Sequence, residues 1–306
     1  MSFSNEVKAE LISAVTDKDK KYACLYGLII FCNKITDDEI CFQSESAEVA
    51  DVFVSLMNEI FKGSVTISKD VIERKNGTSL HSFVVSDSES VRKVTETFKI
   101  DAEKREIDLK NIDNNSLSNF IAGVFLSCGS ITNPESGYHL EFVINSEQLC
   151  DDLFTILNSI GFSVKKAVRK NNAVLYIKES ENIEDLLTFM GAQSSTLEII
   201  NIKILKDVRN RVNRVRNCDM ANLNKTSAAS VRQAQDIKLI ESVMGLDSLP
   251  DTLREIAEAR LDNPEYSLND LGEILDPPIG RSGVNHRLKR IKQIADGIRE
   301  EMSKNE

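Results

Sequence analysis

Apolar residues recur at Val49, Val52, Phe53, Leu56 and Ile60, a 3.6-residue period that predicts a helix with one buried face. β-branched and aromatic runs surround it, EICFQSES before and SVTISKDVIERK and SLHSFVVSD after, and each is read as a strand. A helix over about Glu89–Phe98 closes the set, and the apolar run YACLYGLIIFCN from Tyr22 opens it. The whole order then returns. From Asn119 the chain reads NFIAGVFLSCGS, YHLEFVINS, EQLCDDLFTILNSIGF, SVKKAVRK and NAVLYIKES, ending in a helix over about Ile183–Met190. Two repeats, about 20–100 and 117–192, thus read helix, strand, helix, strand, strand, helix. Asn76-Gly77 and Asn171-Asn172 supply the hairpin turns. A unit this small gains by packing on its twin, so a pseudo-twofold module follows, with the two short apolar helices at its axis.

Beyond it the pattern changes. Leu205, Val208, Val212 and Val215 place one helix over about Leu197–Val215, read as a connector. After Asn217-Cys218-Asp219 a second helix runs from about Ala228 to Met244, with Gly245 as its C-cap. Leu249-Pro250 opens a third, with Leu253, Ile256, Ala257 and Leu261 on one face, and Asn263-Pro264 stops it. Two more follow, Ser267–Leu275 and about Arg281–Glu301, separated by Asp276-Pro277-Pro278-Ile279-Gly280, where consecutive prolines forbid helix. The expectation is an α+β protein in which a duplicated αβαββα module (1–196) is joined by a basic helical linker (197–227) to an all-α helix-turn-helix bundle (228–306).

Charge sharpens this picture. The chain of 306 residues carries a net −10, yet between Lys203 and Lys238 nine Lys and Arg face three Asp. A basic segment on an acidic protein is a footprint of polyanion binding, and a solvated helix surface is the plain alternative. In the last helix Val284, Leu288, Ile291, Ala295 and Ile298 share one face, while Ser282, His286, Lys289, Arg290 and Gln293 share the other. Such a helix has the make-up of a major-groove reader. Arg281, Ser282, Asn285, His286, Lys289 and Arg290 are the candidate DNA contacts, with Arg287, nearer the core flank, suited to phosphate. Arg209, Arg211, Arg214 and Arg216 are candidate auxiliary phosphate contacts.

Composition narrows the rest. With 41% hydrophobic and 28% charged residues the chain is globular rather than disordered, and no apolar run is long enough to span a membrane. Its start lacks the pattern of a signal peptide, so a cytoplasmic protein is expected, nucleoid-associated if the last helix binds DNA. Six cysteines form no CxxC pair, and buried thiols rather than a metal or redox site are expected, with no cofactor.

The runs Leu25–Asn33 and Ile121–Gly129 resemble the LAGLIDADG motif of homing endonucleases, twice, at the start of matching repeats. Gly27 and Gly123 would let the two helices approach closely. In active members the resemblance implies an acid at the eighth motif position, binding the metal that cleaves DNA. Here that position is Cys32 and Cys128, so the paired carboxylates are missing. The nearest acids, Asp37, Asp38, Glu39 and Glu135, lie beyond the helix ends.

Across nearly the whole chain, Asn217–Asn222, Gly245-Leu246, Leu249-Pro250, Asn263–Leu268, Pro277–Ile279 and Ser282–Leu288 are similar to the WhiA family. That resemblance implies an inactive LAGLIDADG-type domain, a sigma-factor-like helix-turn-helix, and roles in sporulation, cell division or chromosome segregation in Gram-positive bacteria. The leading expectation is therefore a non-enzymatic regulator that binds promoter DNA, for which a monomer suffices. Two readings stand beside it: a metal-dependent endonuclease using other acids, and an N-terminal module kept as a protein-interaction platform. The acidic excess of residues 1–196 makes that module a poor DNA saddle, though Arg74, Lys75, Lys165, Lys166, Arg169 and Lys170 could supply local positive charge.

Overall fold

The computed structural model describes residues 2–74, 77–170 and 172–304, without the side chains of residues 114 and 222–224. The chain divides into two compact units, Met1–Lys206 and Asp207–Glu306. In the first, α1 (Phe3–Ser13) precedes two copies of one motif. The first copy is α2 (Lys18–Ile30), β1 (Lys34–Ile35), β2 (Ile40–Ser44), α3 (Ala47–Phe61), β3 (Ser68–Glu73), β4 (Ser79–Val85) and α4 (Ser88–Phe98). The second is α5 (Leu117–Cys128), β5 (Gly129–Ile131), β6 (Leu140–Ile144), α6 (Glu147–Ser159), β7 (Lys165–Arg169), β8 (Asn172–Ile177) and α7 (Ser180–Met190). Both sheets are antiparallel with equivalent strand orders, β1-β2-β4-β3 and β5-β6-β8-β7.

The predicted duplication is present, with two additions. Strands β1 and β5 follow the motif helices directly, and at two and three residues they are too short to show alternation. Helix α1 has a signal that sequence reasoning passed over: Phe3, Val7 and Leu11, four apart, form a buried stripe. Helices α3 and α6 start at matching places because Ser46 and Ser146 accept the N–H groups of Val49 and Leu149. Of the two predicted hairpin turns, Gly77 has the positive φ such a turn requires, whereas Asn172 already belongs to β8 opposite Arg169 and it is Lys170 that takes a positive φ; Asn76 and Asn171 lie outside the described residues.

At the axis, α2 and α5 are buried almost throughout, from Ala23 to Ile30 and from Asn119 to Leu126. Their backbones touch. A Cβ on Gly123 would lie 2.1 Å from the Cys24 carbonyl oxygen, and one on Gly27 would lie 2.4 Å from that of Phe120. No flexible side chain can give way there, so only glycine fits at either crossing position. Ser127 Oγ then donates to the Phe31 carbonyl at 3.0 Å, tying the two helix ends together.

After α7 comes α8 (Gln193–Met244), one helix where the sequence reading expected a connector, a break near Asn217-Cys218-Asp219, and a second helix. The segment contains no Gly or Pro, and Asn, Cys and Asp each cost only about 0.7 kcal/mol against Ala, too little to break it. Its first turn is capped from a distance. Glu10 of α1 accepts the backbone N–H groups of Ser194 and Ser195 at 2.6 and 2.9 Å, and the Ser195 hydroxyl at 2.7 Å. Burial pushes this carboxyl up, but the hydrogen bonds from Ser195 and Ser194 outweigh it and hold it below its ordinary value.

Two outcomes follow from this packing. Gly123→Ala and Gly27→Ala should each lose at least about 2 kcal/mol in urea unfolding, because the added methyl meets backbone rather than movable side chain. For Glu10→Gln, the expected loss at neutral pH is about 1–2 kcal/mol. A folded-state carboxyl held below its unfolded value contributes fully above the unfolded value and loses that contribution as pH falls through the folded one. The gap between wild type and Glu10→Gln should therefore close on acidification, as unfolding curves across the acid range will report.

Candidate nucleic-acid interface

The second unit holds the remainder of α8 with α9 (Asp251–Asp262), α10 (Leu268–Glu273) and α11 (Arg281–Lys304). Gly245, at φ +76°, ends α8 as expected. Ser267 starts α10 through a capping box in which its hydroxyl accepts from Asp270 N–H and the Asp270 carboxylate accepts from Ser267 N–H. The proline turn folds back on that helix: Ile279 N–H donates to the Gly272 carbonyl at 3.0 Å, and a Cβ on Gly272 would lie 2.1 Å from the Ile279 oxygen. This contact sets where α11 begins. Val284, Leu288, Ile291, Ala295 and Ile298 are buried together with Ile237 and Ile240 of α8, Leu253, Ile256 and Ala257 of α9, and Leu271 of α10.

Burying that stripe turns the opposite face outward. Arg281, Ser282, Asn285, His286, Lys289 and Arg290 are all exposed. Among the described residues Arg281, Lys289 and Arg290 have no carboxylate partner. Arg287 stands apart from them. Half-buried, it donates to the Thr252 carbonyl at 3.2 Å and lies 3.6 Å from Glu255, so it anchors α11 to α9. Farther along α11, Arg299 is held by Asp236 and Asp296. Among the described residues the cations of α11 without a carboxylate partner therefore lie between Arg281 and Lys292, apart from Lys304 in the last turn. Beside them a hollow of about 340 Å³ brings Asn285, Lys289 and Lys292 together with Arg232 and Gln235 of α8. Sequence reasoning had left Lys292 and Arg232 out of the site. Lys292, at three and seven residues from Lys289 and Asn285, shared their face all along, whereas Arg232 joins only through tertiary packing. Arg209, Arg211, Arg214 and Arg216 are exposed on α8, with no ion pair among the described residues.

The first unit offers the other candidate centre, at the ends of α2 and α5. Cys32 Sγ donates to the Lys34 carbonyl at 3.2 Å and Cys128 Sγ to that of Val124 at 3.4 Å. Burial pushes both thiols up to about 12. Two cations meet the helix ends, neither foreseen from the sequence. Arg105 Nη2 donates to the carbonyls of Ile30 and Cys32, and Lys8 Nζ to that of Leu126 at 3.4 Å. Ile30 and Leu126 occupy the same sixth position of the two motifs, so the repeats receive equivalent positive charge. Neutral thiols bind a hard divalent cation poorly, and the cationic places are already filled; the residues present do not fit the metal that the motif implies. Among the described residues no group of three His, Cys, Asp or Glu could hold one. Glu39 pairs instead with Lys34 at 3.1 Å, while Asp37, Asp38 and Glu135 are exposed outside the helices.

On the sheets, most of the expected local positive charge is ion-paired. Arg74 pairs with Glu45, Lys165 with Glu179, Lys166 with Asp151 and Arg169 with Glu141. Lys170 is exposed, and Lys75 lies outside the described residues. Alkylation of the native chain at pH 8 should label exposed Cys218 first, with Cys32 protected until the fold opens; mass spectrometry of labelled peptides reads the order.

A family model described as the WhiA LAGLIDADG-like domain matches residues 117–209, and one described as the WhiA C-terminal HTH domain matches residues 212–295. Proteins of Clostridium perfringens strain 13 and Clostridium tetani, both named "Probable cell division protein WhiA", are 40% and 39% identical to the chain, over 98% of its length and 99% of theirs. The crystal structure of full-length DUF199/WhiA from Thermatoga maritima is 29% identical, with a TM-score of 0.56 over 97% of this chain and 98% of that one. A duplicated LAGLIDADG-like module followed by a helix-turn-helix, matched end to end at this identity, means that the chain belongs to the WhiA family.

Proposed function

We propose that the protein is a sequence-specific regulator that binds promoter DNA through α11, without nuclease activity, in cell division, chromosome segregation or sporulation. The observation that carries this reading is the sorting of side chains on α11: Arg281, Asn285, Lys289 and Arg290 stand exposed, the cations among them without a carboxylate partner among the described residues, while Arg287 and Arg299 are tied down. Arg281, Lys289 and Arg290 suit guanine edges or phosphates, Asn285 suits adenine, and Ser282 suits a phosphate near the helix start. Arg209, Arg211, Arg214 and Arg216 add phosphate contacts from α8. In this reading residues 197–227 act as the linker between the α/β module and the DNA-binding part, 228–306.

The first unit supports partner binding better than DNA or metal chemistry. Neutral thiols at the two motif positions and ion-paired cations on the sheets give neither a hard-metal site nor a basic saddle. Its surface is left for a protein of the transcription or division machinery. Among the described residues no helix is long and apolar enough to cross a membrane, in keeping with a nucleoid-associated place in the cytoplasm. The internal twofold makes a monomer sufficient.

Binding of the full chain to genomic promoter fragments across a salt series, with Mg²⁺ present, tests the proposal. Lys289→Ala and Arg290→Ala should each cost about 1–3 kcal/mol on preferred fragments and much less on unrelated DNA, with the DNA intact throughout. Equal affinity of wild type and Lys289→Ala at every salt concentration would sink the α11 reading. Mg²⁺-dependent nicking lost in Asp37→Ala or Glu135→Ala would reinstate the endonuclease.

A further inference from the structure

A second basic feature of the helix-turn-helix unit is a pocket of about 380 Å³, within the range of small-ligand sites at about 300–1,000 Å³. Lys225 and Gln233 of α8, Arg260 of α9, Asn269 of α10 and Arg281 of α11 line it, together with the hydroxyls of Thr226, Ser230 and Ser267. Among the described residues three cations and no carboxylate line this space.

Arg260 is the unusual member. It is 2% exposed, and a guanidinium is rarely buried without full pairing. Its Nη1 is satisfied, donating to the Tyr266 carbonyl at 2.7 Å with Ser230 Oγ and the Asn263 carbonyl at 3.4 Å. Its Nε is buried with no hydrogen-bond partner, and Nη2 makes no hydrogen bond among the described residues. The charge of Glu265 reaches Arg260, yet the two form no ion pair. Gln233 Oε1, on the same wall, is also buried and unpartnered, and its amide can turn to present N–H instead. A guanidinium edge, an ammonium and amide donors around one acid-free cavity match an anion with several acceptor oxygens.

We propose that this pocket receives a phosphate group, held by Arg260 at its floor and by Lys225, Gln233 and Arg281 at its walls. Resting on the reading that α11 binds DNA, the favoured source is a backbone phosphate flanking the bases that α11 reads. Arg281 and Leu268 belong both to this pocket and to a hollow lined with Ser282 and Asn285, so a strand crossing the first turn of α11 reaches the pocket mouth. Phosphates seated there fix register without reading sequence. A phosphate from a free small molecule shares the chemistry, and the experiment separates the two.

The full chain is compared with Lys225→Glu, with Gln233→Glu, which sets a carboxylate beside Arg260 in its place, and with Lys289→Ala. Affinity for promoter and unrelated fragments is measured across a salt series, and Tm is measured with inorganic phosphate. For a DNA phosphate, Lys225→Glu and Gln233→Glu bind about five-fold or more weakly on both kinds of DNA, and the log–log salt slope falls by about one. For a free phosphate, inorganic phosphate raises the wild-type Tm by a few degrees and neither charge variant responds, while the DNA salt slope is unchanged. Wild-type DNA affinity and slope in both charge variants, with no phosphate effect on any Tm, would overturn the pocket. Failure of the α11 reading looks different: Lys289→Ala binds like wild type while Lys225→Glu still loses slope, or while phosphate still raises the wild-type Tm.

Discussion

The crossing of α2 and α5 sets the geometry of the first unit. At Gly27 and Gly123 the two backbones are so close that a methyl group has no room, and this contact lets each repeat bury the core face of its sheet against a shared axis. Everything arranged around that axis inherits its pseudo-symmetry. The serine caps of α3 and α6, the Phe42–Phe83 and Phe142–Leu175 pairs and the two strand orders fall in matching places. Placing two helix ends side by side also creates a focus of carbonyl dipoles, which must be answered by something positive.

In an endonuclease of the LAGLIDADG kind, that answer implies acids and divalent metal. Here the chain supplies it covalently, as Arg105 from the segment between the repeats and Lys8 from α1. With cations built in, carboxylates at the eighth motif position have no metal to hold, and thiols pack there as small, neutral groups. Desolvation keeps them protonated, so Cys32 and Cys128 serve as hydrogen-bond donors to backbone rather than as ligands. The two motif helices are the core of the unit, whatever group stands at the eighth position.

Charge is sorted between the units along the same lines. On the sheets of the first, the described basic residues of the exposed strands are mostly matched by carboxylates at hydrogen-bonding distance. In the second, acids tie down Arg287 and Arg299, while among the described residues Arg281, Lys289 and Arg290 have no carboxylate partner and the pocket wall formed by α8 from Lys225 to Gln233 carries no acid. An overall net charge of −10 therefore coexists with a locally basic surface, and it is the local field that a polyanion meets.

How much of this was legible in the sequence depends on the range of the interaction. Periodicity and turn chemistry are local, so the duplicated elements, the glycines at the axis, the Gly245 cap, the proline turn and the buried stripe of α11 could be read from the residues alone. The same patterns nominated the exposed face from Arg281 to Arg290, whereas Cys32 and Cys128 stood out only through the resemblance to the LAGLIDADG motif. Strands β1 and β5 escaped because two or three residues carry no alternation, and α8 was divided because a cluster of polar residues resembles a break when no neighbour is visible. Tertiary structure alone decided which charges remain free. That Arg287 is anchored, that Lys8 and Arg105 cap the motif helices, and that Arg260 faces Lys225 across a cavity follow from contacts between residues far apart in the chain. Local propensity carries no information about such contacts, since the cost of burying a charge depends on what packing places beside it.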